Sequence, residues 1–132
     1  MTIELKMASW SLILALVQIL LFDVARTAQY GTRWNTGPRD ETMPPLNPVV
    51  GRLKRAQDNL FETLPLFVGA VLLAHVTGRE SSVTAIGTQI YFWGRVVYIP
   101  LYVLGVRHVR SLIWLISTGG LVAIFYAIVA AQ

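Results

Sequence analysis

The stretch RAQDNLFETLPLF, Arg55 to Phe67, decides how this chain is read. It opens with charge, carries Asn59 and Glu62 into an increasingly apolar run, and after Glu62 no Asp, Glu, Lys or Arg recurs before Arg79. A long apolar run with polar residues at its mouth is the pattern of a membrane helix that holds something at one end. The whole composition agrees. Of 132 residues 55% are apolar and only 14% charged, and the mean hydropathy is +0.57, too oily for an ordinary soluble domain. There is no cysteine, so disulfides and thiolate metal sites are excluded, and any thiol chemistry must use a thiol carried by a ligand. The net charge of +4 reads as charge that orients loops across a bilayer rather than as a nucleic-acid surface.

Four apolar runs are long enough to cross a hydrocarbon core of about 30 Å. They cover about residues 8–28, 60–76, 83–106 and 112–131. The expected architecture is one all-α membrane domain over 1–132, a bundle of four transmembrane helices. The first run is too long for a secretory signal and lacks a convincing small-residue cleavage site. Pro65 should kink the second span locally. The connection over about 29–51 holds Pro38, Pro44, Pro45 and Pro48, which forbid continuous helix and predict an irregular loop. Arg26, Arg33, Arg39, Arg52, Lys54, Arg55, Arg107 and Arg110 collect on the face of that loop, against Lys6 and Arg79 on the other. The positive-inside rule then makes the loop cytoplasmic and leaves both termini outside. Short loops and the lack of a sorting signal point to a bacterial inner membrane.

At about 100° per residue, Arg52, Arg55, Asn59 and Glu62 form one stripe about 80° wide on the second span. Tyr91, Arg95, Tyr98 and Tyr102 fall within about 60° of one another on the third. Neither stripe can face lipid, so they should face each other or a water-filled pocket. Arg95 is the sharper case, because a charge at mid-span costs at least ~2.5–3.5 kcal/mol on insertion scales. A structural Glu62–Arg95 ion pair flanked by packing tyrosines is the plain explanation. It leaves Arg52, Arg55, Arg107, His108 and Arg110 at the same end unexplained. Excess guanidinium beside a membrane pocket predicts an anionic ligand, since Arg binds carboxylates bidentately. Glu62 among them suits an amino group, so a small zwitterionic peptide with two carboxylates fits.

R-A-Q-x-N-x-x-E-x-x-P-L-F, at Arg55, Ala56, Gln57, Asn59, Glu62, Pro65, Leu66 and Phe67, resembles the signature of the membrane-associated proteins in eicosanoid and glutathione metabolism (MAPEG). G-R-x-x-Y-x-x-x-Y, at Gly94, Arg95, Tyr98 and Tyr102, resembles that family's second motif. Both occur in order on the second and third of four spans. The resemblance implies a homotrimer of four-helix subunits with glutathione bound between subunits, in a pocket open to the cytoplasmic side. It assigns Arg55, Asn59, Glu62, Arg95, Tyr98 and Tyr102 to glutathione contacts, with Arg26 and Arg107 as further basic contacts. It makes Arg110 the candidate that activates the thiol, with Arg107 second. Ser111, next to Arg110 at a helix start, is either a hydrogen-bond partner or, more often for such a serine, a helix cap. The implied activity is a glutathione transferase, with peroxidase as a second activity, acting on a lipophilic electrophile or lipid hydroperoxide that arrives through membrane lipids.

Two other classes compete. A small four-helix transporter would set an essential carboxylate in a span, but Glu62 sits among arginines that repel a cation, and Asp23 lies three residues from Arg26, the spacing of a local ion pair. A noncatalytic glutathione- or lipid-binding protein on the same fold is the second. His75 and His108 have no metal-ligand spacing, so no metal is expected. Trp10, Trp93 and Trp114 read as interface anchors or packing residues. Gly119 and Gly120 permit close helix approach and mark a packing seam.

Overall fold

A computed structural model describes residues 1–130, and its regular elements are all helices: α1 Ile3–Tyr30, α2 Thr32–Thr36, α3 Pro48–Val76, α4 Ser82–Val103 and α5 His108–Ala130. Ala131, the end of the fourth expected run, lies outside the described residues. Two of the long helices, α1 and α4, start where a side chain supplies a cap. Thr2 Oγ1 accepts from Leu5 N at 3.4 Å. Ser81 and Thr84 cap each other reciprocally at the start of α4, satisfying two donors that an isolated helix end would leave open. Gly31, at φ +92°, ends α1, and Gly105, at φ +75°, turns the chain between α4 and α5, a backbone region costly for residues with a Cβ.

The long connection differs from expectation at both ends. Residues Thr32–Thr36 form a short helix inside it, and α3 begins at Pro48. Pro48 sits in the first turn, where the missing N–H is not needed and the fixed φ suits the helix, so it starts the helix that it was expected to prevent. Pro65 and Pro100 lie inside helices that continue past them.

α1, α3 and α5 are long and apolar enough to cross a membrane, and the chain is an integral membrane protein. α4 has 22 residues, about 33 Å of helix, which is enough to span. Its hydropathy falls short of the other three because Gln89, Arg95 and three tyrosines interrupt it. Arg95 and the tyrosines share the side that packs inward: Tyr91, Arg95 and Tyr98 are buried, as are Thr84 and Thr88.

The core forms where α3 meets α1, α4 and α5. Phe67 stacks on Tyr91 with centroids 4.0 Å apart, and Leu60, Leu64, Val71, Leu121 and Ile124 close around them. α4 and α5 meet through small residues: a Cβ at Gly120 would stand 2.6 Å from the Gly87 carbonyl oxygen, and one at Gly94 2.7 Å from Ser117 Cβ. The seam expected at Gly119 and Gly120 therefore belongs to Gly120 alone, since a Cβ at Gly119 meets nothing within 4 Å. Gly120→Ala is expected to destabilise the detergent-solubilised protein by about 1–3 kcal/mol, an overpacking cost. Gly119→Ala should be neutral or stabilising by up to about 1 kcal/mol. Paired thermal melts decide, and equal melting of the two variants would remove the seam.

Contacts sort the molecule into two ends. Thr2 Oγ1 donates to Glu80 Oε1 at 2.8 Å, Thr84 Oγ1 to Glu4 Oε1 at 2.7 Å, and Arg79 to the Ile128 carbonyl. His75 Nδ1 lies 3.2 Å from Glu80 Oε1. At the opposite end Tyr30 Oη donates to the Pro44 carbonyl at 2.5 Å, and most of the arginines gather there.

Candidate functional site

The arginine-rich end is built where the first half of α3 crosses the last half of α4. Arg52 Nη1 donates to the Val103 carbonyl at 3.2 Å, and its guanidinium lies against Gly105, where a Cβ would come within 3.2 Å of its Cζ. One turn further along α3, Arg55 Nε donates to Tyr102 Oη at 3.2 Å. A turn beyond, Asn59 Oδ1 accepts from Arg95 Nη1 at 2.6 Å. Arg52, Arg55 and Asn59 thus lie on one stripe that meets the α4 stripe.

Glu62 does not. Its side chain is exposed, and among the described residues it makes no hydrogen bond or ion pair. The Glu62–Arg95 ion pair offered as the plain explanation is absent among the described residues. Thr63 holds the inward position instead: its Oγ1 accepts from Arg95 Nη2 at 3.0 Å and lies 2.9 Å from Tyr91 Oη. Thr63 carries no charge to mark it in the sequence, although its place four residues after Asn59 puts both on one helix face.

Arg95 is only 1% exposed. Tyr91 and Tyr98 each present a ring 5.5 Å from its Cζ, within cation–π range. Its partners are therefore neutral: an amide oxygen, a hydroxyl and two π faces. Its Nε is buried without an acceptor. Such a cation fixes Asn59 in place and leaves its charge uncompensated inside the chain.

α5 closes the site. Arg110 Cζ lies 4.6 Å from the Tyr102 ring centroid, and Tyr98 and Tyr102 are 5.5 Å apart. A cavity of about 360 Å³ opens between the helices, lined by Asn59, Tyr98, Arg110, Ser111, Trp114 and Leu115, within the size range of ligand sites. Polar groups come from Asn59, Arg110 and Ser111, and apolar wall from Trp114 and Leu115. Trp114, read from sequence as an anchor or packing residue, lines this cavity. That role has no signal in its residue type, only in its place one turn after Arg110.

The remaining candidates lie elsewhere. Arg107 is exposed in the turn before α5 and does not line the cavity. Arg26 pairs with Asp23 at 2.9 Å, the local pair its spacing predicts, and its Cζ lies 5.3 Å from the Trp34 ring. Among the described residues no group of three or more His, Cys, Asp or Glu side chains could hold a metal ion.

A guanidinium, a hydroxyl and an amide around a small, half-apolar cavity can bind an anion and stabilise negative charge beside an apolar molecule. No curated protein and no solved structure was found to match the chain. A family model, that of the MAPEG family, matches residues 7–130, which takes in both motifs, the cavity and all of the long helices but the first turn of α1. The chain belongs to the MAPEG family.

Proposed function

We propose that this protein is a membrane-embedded glutathione transferase, with hydroperoxide reduction as a second activity. The observation that carries the reading is the convergence of Asn59, Tyr98, Arg110 and Ser111 on one cavity in a chain of this family. Arg110 stands nearest to the reaction. A thiol of ordinary pKa, ~8.5, is only a few per cent ionised at neutral pH. Lowering that value by about two units takes roughly 2.7 kcal/mol of differential stabilisation, within reach of one guanidinium in a partly dry site. The thiolate sulfur then forms a bond to the electrophilic carbon, and the leaving group departs with the bonding pair. Trp114 and Leu115 give the electrophile an apolar wall. Access through the bilayer explains why such chemistry belongs in a membrane.

The peptide is held by Arg55, Asn59, Tyr98, Tyr102 and Glu62, with Arg95 setting Asn59. Arg26 and Arg107 complete the site from a neighbouring subunit in a homotrimer. Support for assembly comes from Glu62, a carboxylate on a spanning helix, exposed on this chain and without a partner among its described residues. An ionisable group in a span is expected to face protein or water rather than lipid. The same reading takes α4 as a fourth span, sets the arginine-rich end in the cytoplasm and places the protein in a bacterial inner membrane.

Calorimetric titration of the purified protein with glutathione, together with conjugation of an aromatic chloride, tests the proposal; neither binding nor turnover would end it. Glu62→Gln is expected to weaken glutathione about tenfold, roughly 1.4 kcal/mol. For the analogue lacking the α-amino group the same substitution should change affinity little. An equal loss for both ligands would show that Glu62 does not read the amino group.

A further inference from the structure

A second and larger cavity, about 520 Å³, lies under the α1–α3 connection, lined in part by Tyr30, Arg33, Trp34, Arg39, Asp40 and Glu41. We propose that it binds the head group of a zwitterionic phospholipid carrying a primary ammonium, the phosphate against Arg33 and Arg39 and the ammonium against Asp40 and Glu41. The first ground is charge. Two cations and two anions face one cavity, yet among the described residues no ion pair joins any of them. A cavity with unpaired charge of both signs suits a ligand that carries both.

The second ground is how the loop is held. Gln29 Nε2 donates to the Pro45 carbonyl at 3.0 Å and Gln29 Oε1 accepts from Asn47 N at 2.8 Å. With the Tyr30–Pro44 bond, these tie the connection down onto the end of α1. Arg39 has φ +59°, the one positive φ outside glycine among the described residues. A non-glycine residue stays in that region where its surroundings hold it there. Its Nη2 donates to Asn35 Oδ1 at 2.7 Å, and its Cζ lies 4.7 Å from the Trp34 ring centroid.

The third ground is place. Tyr30 ends a membrane-length helix and Trp34 stands just past it, where such side chains mark the head-group layer. Leu20, Leu21 and Val24 on α1 are exposed one to three turns away, a surface along which acyl chains can run. Both Arg26 and Arg39 already approach the Trp34 ring, so that face is not free for a quaternary ammonium. Asp40 and Glu41 accept hydrogen bonds that a quaternary ammonium cannot donate. The site therefore prefers ethanolamine both to choline and to glycerol.

Native mass spectrometry of the purified full chain tests this, with equimolar phosphatidylethanolamine, phosphatidylcholine and phosphatidylglycerol of matched acyl chains. The ethanolamine lipid should be retained about fivefold over the other two, a difference of affinities rather than bulk lipid adhesion. Asp40→Asn with Glu41→Gln should erase that preference, and Arg33→Gln with Arg39→Gln should lower retention of all three. All four side chains are exposed, so the fold should survive these changes. Equal retention by the unaltered protein, or a preference that outlasts the Asp40 and Glu41 substitutions, overturns the proposal. Displacement of the lipid by equimolar soluble phosphoethanolamine, or by glutathione, would assign the cavity to that compound and overturn the lipid as its occupant.

Discussion

Arg110→Ala is expected to lower glutathione turnover at neutral pH by about a hundredfold, with glutathione still bound within a few-fold of the original affinity. The magnitude follows from the proposed role. If Arg110 supplies roughly 2.7 kcal/mol toward the thiolate, its removal returns the thiol to its ordinary pKa of ~8.5 and withdraws that stabilisation from the reacting sulfur. The affinity is retained because Arg55, Asn59 and the tyrosines hold the peptide elsewhere. The sign with pH is also fixed. A nearby cation favours the charged sulfur, so the intact protein should run on a plateau through neutral pH, and the variant should gain rate as pH rises toward about 8.5. Arg110→Lys keeps the charge but not the planar fork and should fall between. Steady-state rates across pH, paired with stopped-flow absorbance in the thiolate band, decide the matter. A variant that loses binding and turnover together would make Arg110 an anchor instead, and an undiminished Arg110→Ala beside an inactive Arg107→Ala would transfer the role to Arg107.

The stripe of Arg52, Arg55 and Asn59 was legible in the sequence because helical spacing fixes which residues share a face. The α4 stripe was legible for the same reason, and the two meet through the Arg55–Tyr102 and Asn59–Arg95 contacts. Glu62 shows where such reading stops. Azimuth around a helix is known from sequence, but which arc a neighbour covers depends on the crossing of the two helices, so the edges of a wide stripe are undecided. Glu62 lies on the open edge, and Thr63, less conspicuous as a residue type, is inside. α2 was illegible for a different reason: five residues carry no period, and the prolines around it signal only the absence of long helix. The Gly120 seam needed a partner helix to separate it from Gly119.

Arg95→Leu is expected to weaken glutathione binding by at least tenfold while shifting the melting of the ligand-free protein little. Opposed terms of similar size set the second half of this expectation. Burying a guanidinium costs several kcal/mol after relaxation, and here no carboxylate offsets it, since its hydrogen-bond partners are Asn59 Oδ1 and Thr63 Oγ1. Leucine removes that cost and fills part of the volume. It also withdraws the donor from two polar groups, about 1–3 kcal/mol for each one left unsatisfied, and the two ring contacts. The terms cancel to within a few kcal/mol in the empty protein. They do not cancel when an anion binds, because the interior charge is then gone from beside Asn59 and the amide is free to turn. Arg95→Lys separates position from charge: lysine keeps the cation but presents no fork to bridge Asn59 and Thr63, so affinity should recover only in part. Calorimetric affinity read against thermal melts gives the answer. A large fall in melting temperature with unchanged affinity would return Arg95 to a purely structural role.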